Sequence, residues 1–494
     1  MPHPRFTQGS TMRHIAVMSL SNAAGISALF IVDMLDLFFL SLLGEKYLAA
    51  AVGYASTVLF LTTSIGIGIS IAAGALISKS IGEKDRLRAS QYLVNISVLC
   101  LIFTSIIALT VWLYIPELLT LVGAKGEVHS LAHQFLNIMV PSMPVLALAM
   151  SFGAGLRAVG DAKRSMSSTL AGGAVNAVLD PVFIFMLDMS IEGAAIASVL
   201  ARVTILAISA YGVVKVHKLI CHVSWPAFIK DWTTIIKIAL PAMLTNLAMP
   251  ISSAFITRSI AVYGDGFVAG YAIIGRIIPV AFGVVFALSG AVGPIVGQNY
   301  GAQLMGRVRK SLRDAYIFST AYILISSGLV FLAQDYLVLL FSAKGNAAEL
   351  VRFFCTYIAV SFTFSGILFV ANASFNNLGK PVYSTLLNWG RATLGTLPFI
   401  FIGSKIDGAY GILTGQAIGG ILFAFIALYS SFKLIDRIER NIVKQKVENE
   451  TELLKPEEIV LPCTLNPLSS ECAQMCQIAE EGECKEELSK EAVD

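Results

Sequence analysis

Charged side chains are scarce in this sequence, and the scarcity is uneven. Of the 494 residues, 14% are Asp, Glu, Lys or Arg, whereas soluble globular proteins average about 25%. The first 432 residues carry only 44 of the 67 charged side chains. Together with an apolar content of 56%, this excludes a water-soluble enzyme, a coiled coil and a disordered chain. The body of the protein is therefore expected to fold in lipid.

Motifs for catalysis, nucleotide binding and metal binding are also lacking. No glycine-rich phosphate loop precedes a lysine, and His129 and His133 have no acidic partner at metal-ligand spacing. Four of the seven cysteines crowd the C-terminal tail, but their spacing fits no zinc motif. We therefore expect no enzyme, no resident cofactor, no ATP-driven step and no nucleic-acid partner.

Long apolar runs are what the sequence has instead. A membrane-spanning helix needs about 20 apolar residues, and twelve runs of this kind lie between charged or Gly- and Pro-rich breaks. They cover residues 15–42, 48–77, 90–114, 131–155, 165–187, 191–213, 235–262, 268–296, 312–334, 350–373, 381–403 and 410–432. Strands of a membrane barrel would be shorter and of alternating polarity. The prediction is an all-α polytopic membrane protein with about twelve transmembrane helices.

Lysine and arginine are distributed unevenly between the two ends of these helices. The even-numbered breaks carry most of them, such as Arg86 and Arg88 in the second break and Arg307 and Lys310 in the eighth. Positively charged residues favour the cytoplasmic side of a membrane. Both termini are therefore predicted to be cytoplasmic, in a plasma membrane and more specifically a bacterial inner membrane.

The second half of the chain repeats the first. A shift of about 219 residues aligns residues 78–82 with 297–301, and Arg157-Ala-Val-Gly160 with Asn376-Asn-Leu-Gly379. Because six helices return the chain to the same side, the two repeats are parallel, which is a plan used by transporters. The predicted segments are a cytoplasmic N-terminus (1–14), two six-helix bundles (15–214 and 235–432), a cytoplasmic linker (215–234) and an acidic, disordered tail (433–494).

Acidic side chains inside the predicted helices mark a candidate site, because charges are costly in a membrane and are functional by default. Asp33 and Asp36 lie three residues apart in helix one, and Asn176 and Asp180 lie four apart in helix five. Each pair therefore shares one helix face, and Pro181 loosens the local backbone ladder. A desolvated carboxyl group can carry a proton near neutral pH, and such oxygen ligands also suit Na⁺.

Other polar residues leave alternatives open. Asp36 or Asp180 could pair with Arg202 of helix six and serve only to hold helices together. Asp33 is read as a second polar group facing the same cavity, and Met34 as a possible cavity residue for apolar ligands. Arg202 and Arg391, in the middle of helices six and eleven, are read as packing groups, counter-ions or modulators of the site.

The two halves also differ in where their acids lie. The second-half positions that match Asp36 and Asp180 are apolar, near Ile256 and Leu397. Ion coupling is therefore expected in the first half.

Several motifs in combination resemble those of the multidrug and toxic compound extrusion (MATE) family, over about residues 10–440. They are Gly155-Leu-Arg157-Ala-Val-Gly160-Asp161, Asn176-x3-Asp180-Pro181, Gly193-Ala-Ala-Ile-Ala-Ser198, Gly297-Gln-Asn-Tyr-Gly301 and Asn377-Leu-Gly379-Lys-Pro381. The resemblance implies a V-shaped pair of six-helix bundles. It also implies export of cationic and amphipathic drugs in exchange for H⁺ or Na⁺.

The resemblance further assigns a cation site. In the prokaryotic branch of the family this site is formed by a helix-one Asp, a helix-five Asn and Asp, and a helix-six Thr. These correspond to Asp36, Asn176 and Asp180, with Ser198 in place of the Thr. No second-half acid matches the NorM-like branch, so the chain looks closer to the DinF-like branch. Arg202 stands where a neutral polar residue is more usual.

Two readings from different classes follow. The first is a monomeric secondary antiporter that exports drug-like small molecules by alternating access, coupled to H⁺ or Na⁺. The alternative is a flippase for a lipid-linked precursor, which relatives in the wider superfamily perform, usually with extra helices and several basic cavity residues. Twelve helices favour the exporter. A non-transporting receptor or assembly factor would explain neither the repeat nor the buried acids.

Overall fold

A computed structural model describes residues 4–43, 47–222 and 224–453, and every regular element in these ranges is helical. This confirms the predicted all-α fold class. The helices of the first half are α1 (Thr11–Leu42), α2 (Leu48–Gly82), α3 (Arg86–Leu113), α4 (Ile115–Leu121), α5 (Gly126–Met139), α6 (Met143–Ala158), α7 (Ala162–Pro181) and α8 (Ser190–Tyr211).

The second half has the same kind of elements. Its helices are α9 (Trp225–Ala261), α10 (Asp265–Ala281), α11 (Gly283–Gly301), α12 (Met305–Leu332), α13 (Gln334–Leu340), α14 (Asn346–Phe353), α15 (Phe362–Asn377), α16 (Val382–Ala392) and α17 (Leu397–Leu453). Short π-helical turns follow three helices, at Val182–Met186, Gly212–Val216 and Phe354–Ile358.

Most of these helices are long and apolar enough to cross a membrane. Nine such spans are single stretches, and α10 with α11 forms one more that bends by 45°. The stretch Val382–Glu448 also passes the test as one piece, but α17 has non-helical backbone angles at Asp407 and Gly408. The chain reverses at this kink.

Glycines on both sides of the kink show that reversal. A Cβ atom added at Gly411 would collide with Gly403, and one added at Gly415 or Gly419 would collide with the backbone of Phe399 or Gly395. These pairs step apart in opposite directions along the chain, as in an antiparallel helix hairpin. Counting the hairpin as two spans gives twelve within the described residues, which matches the sequence-based expectation.

The exposed faces of the bundle are apolar, as a lipid environment requires. Ile106 and Leu109 on α3 are 60% and 58% exposed, and Ile325 and Leu329 on α12 are 65% and 62% exposed. Buried positions between helices are instead rich in alanine, glycine and serine, which allow the close helix packing common in membranes.

Two predicted boundaries are wrong. The segment 215–234 is not a linker throughout, because α9 already begins at Trp225. Asp231 in this segment is buried and accepts hydrogen bonds from Arg88 at 2.6 Å and Asn95 at 2.8 Å, so its charge is compensated inside the fold. The predicted disordered tail also begins too early, since α17 remains helical to Leu453. The rest of the tail, with its four cysteines, lies outside the described residues.

The backbone confirms the internal repeat. Residues with positive φ recur at a shift of 219 residues, in left-handed turns that end one helix and begin the next. The pairs are Lys84 and Gln303, Gly123 and Ser342, Gly126 and Gly345, and Gly160 and Gly379. Turn geometry is therefore preserved even where the side chains differ.

The repeated segments 78–82 and 297–301 contact each other, so the two halves meet there. A Cβ atom at Gly82 would lie 2.9 Å from Gln298 Cα, and one at Gly301 would lie 2.9 Å from the carbonyl carbon of Lys79. The shift of 219 converts one contact into the other, as expected for an approximate two-fold axis. The sequence predicts that this end is cytoplasmic.

The N-terminal segment Arg5–Thr7 packs against the same junction. Phe6 is fully buried, and its backbone N–H donates to Gln298 Oε1 at 2.9 Å. Gln298 Nε2 in turn donates to Ala158 O at 2.7 Å, which links α11 to the first half. Arg5 donates to Gly160 O at 2.9 Å. These bonds hold the two halves together at the predicted cytoplasmic end.

Candidate ion-coupling site

Three of the predicted site residues meet between α1 and α7. The side-chain nitrogen of Asn176 donates to Asp36 Oδ1 at 2.7 Å and to Asp180 Oδ2 at 3.0 Å. The amide therefore bridges the two carboxyl groups. The spacing of four residues between Asn176 and Asp180 places both on the face of α7 that meets α1.

Two adjacent glycines set the position of α7. A Cβ atom at Gly172 would collide with Ile205 of α8, and one at Gly173 would lie 3.2 Å from Val32 of α1. Small residues thus bring α7 close to both neighbours. The same packing carries Asn176, one turn further along α7, to Asp36.

The regular α-helix ends directly after the site. Pro181 lacks a backbone N–H, and residues Val182–Met186 continue as a π-helical turn. Gly193 of α8 packs against the backbone of Phe183 in this turn, where a Cβ atom would lie 2.8 Å from the carbonyl carbon. The bond pattern of the helix therefore changes next to Asp180, where bending costs less than in a regular helix.

Burial makes the site chemically unusual. Asp180 is 0% and Asn176 2% exposed. Within the described residues, Asp180 Oδ1 is buried and has no hydrogen-bond partner. Two neighbouring carboxylates in a site of low polarity do not both stay ionised without compensation. A proton or a cation such as Na⁺ supplies that compensation, and both are compatible with the oxygen atoms present.

The other predicted residues lie differently. Among the described residues, Ser198 on α8 makes no side-chain hydrogen bond to Asp36 or Asp180. Arg202 donates to Met139 O at 3.2 Å and to Ser142 Oγ at 2.6 Å, in the turn before α6. Its influence on the acid pair stays a prediction.

Asp33 and Met34, the other two residues singled out in helix one, lie in the membrane-spanning part of α1. Met34 is 50% exposed and lines neither of the two cavities described below. The side chain of Asp33 lies outside the described part of the structure.

A cavity of about 440 Å³ lies between the two halves. Arg157 lines it together with Asn22, Asn376 and Asn377, and donates to Ser165 Oγ at 2.9 Å. In the sequence, Arg157 stands out only as part of a positively charged break and of a family motif. Its polar repeat partner, Asn376, was the available sign that this position faces polar surroundings in both halves.

A second cavity, of about 340 Å³, lies within the second half, between α9, α10, α11, α15, α16 and α17. Arg391 lines it from the last turn of α16. Arg391 stands out in the sequence as a charge within an apolar run, but its pocket is not visible there, because the opposite walls come from helices far away in the chain.

These features define a class of protein. A duplicated bundle of membrane-spanning helices, with a carboxyl pair inside one repeat and cavities within and between the halves, is the architecture of a secondary transporter.

The chain belongs to the MatE family, whose model matches residues 23–182 and again 241–402. The two matches fall one on each half, in agreement with the repeat. The family confirms the resemblance found in the sequence and identifies a multi-pass membrane transport protein.

Curated relatives and solved structures agree with this family. The chain is 29% identical to the "FAD transporter" of Shewanella oneidensis, over 85% of this chain and 94% of that protein. It is 23% identical to the "Multidrug export protein MepA" of Staphylococcus aureus, over 88% and 96%. A crystal structure of a mutant of the Vibrio cholerae MATE transporter VcmN superposes with a TM-score of 0.82 and 25% identity, over 87% of this chain and 97% of that one.

Proposed function

We propose that this transporter exports amphipathic small molecules and that H⁺ or Na⁺ bound at Asp36, Asn176 and Asp180 drives the export. The two curated relatives, one named an FAD transporter and one a multidrug export protein, support a cargo of this size and kind. A location in the plasma membrane with cytoplasmic termini is part of the proposal. The cationic charge expected for the cargo is a separate prediction, which the dye in the transport experiment below tests.

The observation that carries the proposal is the buried Asp180 Oδ1, which has no hydrogen-bond partner among the described residues. A buried polar atom without a partner costs about 1–3 kcal/mol, and more if it is charged. A proton or Na⁺ entering the site removes this cost. The site is thus suited to bind and release an ion during a transport cycle.

The coupling step follows from the bridge. With both carboxyl groups charged, Asn176 can donate to each of them, as observed at 2.7 Å and 3.0 Å. A proton shared between the carboxyl groups, or a cation between them, compensates their negative charge. The hydrogen bonds from Asn176 then stabilise the pair less. Asp180 is then free to move with the turn after Pro181, and the charge state of the pair biases two packings of the first half.

Alternating access then requires the two halves to separate at the end where they now meet. The contacts of Gly82 with Gln298 and of Gly301 with Lys79 would have to open together, since the shift of 219 relates them. The expected cycle opens this end in one state and closes it in the other, with the cargo crossing between the halves.

Transport by proteoliposomes tests this function. A labelled cationic dye and a flavin nucleotide are loaded separately, and a pH or Na⁺ gradient is imposed. The wild-type chain should move at least one of them in a gradient-dependent way. Asp36→Asn should fold and insert but lose the gradient-driven component, because one of the two charges that bind the ion is gone.

Asp335→Asn serves as the matched control. Asp335 is an exposed acid that pairs with Arg352 at 2.8 Å. It lies in the second half, whereas Asp36 and Asp180 lie in the first. The variant should transport like the wild type. Gradient-driven transport at the normal rate by correctly inserted Asp36→Asn would refute the coupling assignment. Gradient-dependent movement of a lipid-linked precursor, with neither soluble cargo moved, would favour the flippase alternative.

A further inference from the structure

The cavity inside the second half has one charged side chain on its wall. Of the described residues that line it, Arg391 alone carries a charge; the others are apolar, aromatic, hydroxyl or amide residues. Its volume of about 340 Å³ falls in the range of pockets that hold drug-sized molecules. An arginine in such surroundings is not a generic feature of membrane packing, because an uncompensated charge in a membrane is costly.

Arg391 is poorly compensated within the described residues. Its guanidinium makes one side-chain hydrogen bond, a long one of 3.4 Å to Ser365 Oγ, and it takes part in no ion pair. A guanidinium has five N–H donors in a planar fork that matches carboxylate and phosphate groups. Most of its donor capacity is therefore available to a ligand in the cavity.

The backbone next to Arg391 is also specialised. Helix α16 ends at Ala392, and residues 393–396 form turns before α17 begins at Leu397. Thr396 and Asn388, both buried, line the same cavity. Broken helices in transporters commonly lie at the substrate site. Arg391, Thr396 and Asn388, which lie within this break or at the end of α16 before it, all line the pocket.

Part of the remaining wall is aromatic. Phe282 and Phe362 stack with ring centroids 4.6 Å apart, and Phe286 meets Phe369 edge to face at 5.3 Å. All four line the cavity. Aromatic walls favour flat aromatic ligands through offset or edge-to-face contacts.

We propose that this cavity binds an aromatic organic anion, with the phosphate or carboxylate group on Arg391 and the ring system against the phenylalanine wall. The proposal deepens the proposed function by naming the charge and kind of the cargo. Transport of this anion depends on the proposed function, whereas its binding to the cavity needs no ion gradient. It competes with the expectation of a cationic cargo.

Three probes with the same ring separate these possibilities: 1-naphthyl phosphate, 1-naphthol and 1-naphthylmethylammonium. Binding is measured by calorimetry and by thermal stabilisation of the full chain in nanodiscs of neutral lipid. The wild type should bind the phosphate at least tenfold more tightly than either other probe. The reason is that a hydrogen bond between charged groups raises the binding affinity about tenfold or more. This comparison needs no variant.

Variants then assign the effect to Arg391. Arg391→Gln should weaken binding of naphthyl phosphate about tenfold to a hundredfold and leave naphthol unchanged, and Arg391→Lys should restore part of the affinity. Arg258→Gln removes the same charge from an exposed position on α9 that does not line the cavity. It should bind all three probes like the wild type.

Several results would overturn the proposal. Equal binding of the phosphate and the ammonium probe by the wild type would remove the charge preference. Unchanged phosphate affinity in a folded Arg391→Gln protein would remove Arg391 from the site. Inorganic phosphate binding as tightly as naphthyl phosphate would exclude a role for the aromatic wall, and displacement of the probe by phosphatidylglycerol in the nanodisc would identify a lipid headgroup instead.

The outcome is separable from that of the transport proposal. Arg391-dependent binding without any gradient-driven transport would support the cavity and refute ion-coupled export. Gradient-driven transport that needs Asp36, combined with no preference for the anionic probe, would do the opposite.

Discussion

The two halves of this transporter share a fold and differ in charge. At the shift of 219 residues, Asp36 and Asp180 of the first half correspond to Phe255 and Phe399 of the second. In the other direction, Arg391 corresponds to Gly172, which packs against α8. The first half thus has a carboxyl pair of which Asp180 is fully buried, and the second half has a cavity lined by four phenylalanines and one arginine. The two repeats thus share a backbone scaffold and differ in the ionisable side chains at these matching positions.

This difference suggests a division of work. Carboxyl groups bind protons and hard cations, whereas a guanidinium binds oxyanions and cannot release its proton at any ordinary pH. If the first half responds to the ion and the second recognises the cargo, variants in each half should affect different measurements.

The largest effect is expected for Asn176→Ala, which removes the bridge between the carboxyl groups. Two hydrogen bonds are lost, one buried and one half-buried. A hydrogen bond to a charged partner contributes about 1.5–3 kcal/mol, so gradient-driven transport should fall at least tenfold. The pH or Na⁺ dependence of what remains should change. Asn388→Ala is the second-half counterpart test.

Asn388 donates to Asn372 Oδ1 at 3.1 Å and lines the cavity of the second half that contains Arg391. Its replacement by alanine should alter the affinity for cargo and leave the ion dependence as it is. The division between the halves fails if the two variants change the same parameter, whether cargo affinity or ion dependence.

A smaller effect is expected at the contact between the halves. Gly82→Ala would place a Cβ atom 2.9 Å from Gln298 Cα, and overpacking of this kind costs about 1–3 kcal/mol. Thermal unfolding in detergent should therefore occur at a lower temperature. Gly53→Ala is a control in the same helix, where a Cβ atom would meet no other atom within 4 Å.

Gly53→Ala should be neutral or stabilising by up to about 1 kcal/mol, because alanine favours helix over glycine. Equal unfolding temperatures for the two variants would mean that Gly82 and Gln298 are not in close contact in the detergent-solubilised protein.

The smallest effect is expected for the C-terminal tail. Truncation after Lys446 removes the end of α17 and the segment beyond it. Residues 443–448, on both sides of the cut, are all exposed. Transport rates and ion dependence should stay within experimental error of the full chain. A clear loss of transport, with normal expression and insertion, would show that this segment contributes to function beyond both halves.

Much of the candidate site was predictable because helical spacing is local. The intervals between Asp33 and Asp36, and between Asn176 and Asp180, fix which side chains share a face whatever the rest of the fold does. The rarity of acids in apolar runs then singles them out. Pro181 was equally visible as a helix-breaking residue, and the π-helical turn after it agrees with that prediction.

Other features depended on contacts between distant segments. Asp231 was read as part of a polar linker, yet it is buried because Arg88 and Asn95, more than 130 residues earlier, pair with it. Phe6 was read as part of a cytoplasmic N-terminus, yet it fills the junction between the halves. Nothing in the neighbouring sequence specifies either partner.

The sequence alone therefore determined the solvent, the number of spans, the repeat and the candidate acids, since each depends on composition, on periodicity along one helix or on comparison of the chain with itself. The choice of Asp36 and Asp180 as members of one site came from the family resemblance. Only the tertiary structure decided that Asn176 bridges Asp36 to Asp180, that α17 contains a hairpin, and that Arg391 faces an aromatic cavity. These depend on which helices become neighbours, and in lipid that choice is made by close packing of small residues such as Gly172, Gly173 and Gly403 rather than by the hydrophobic pattern.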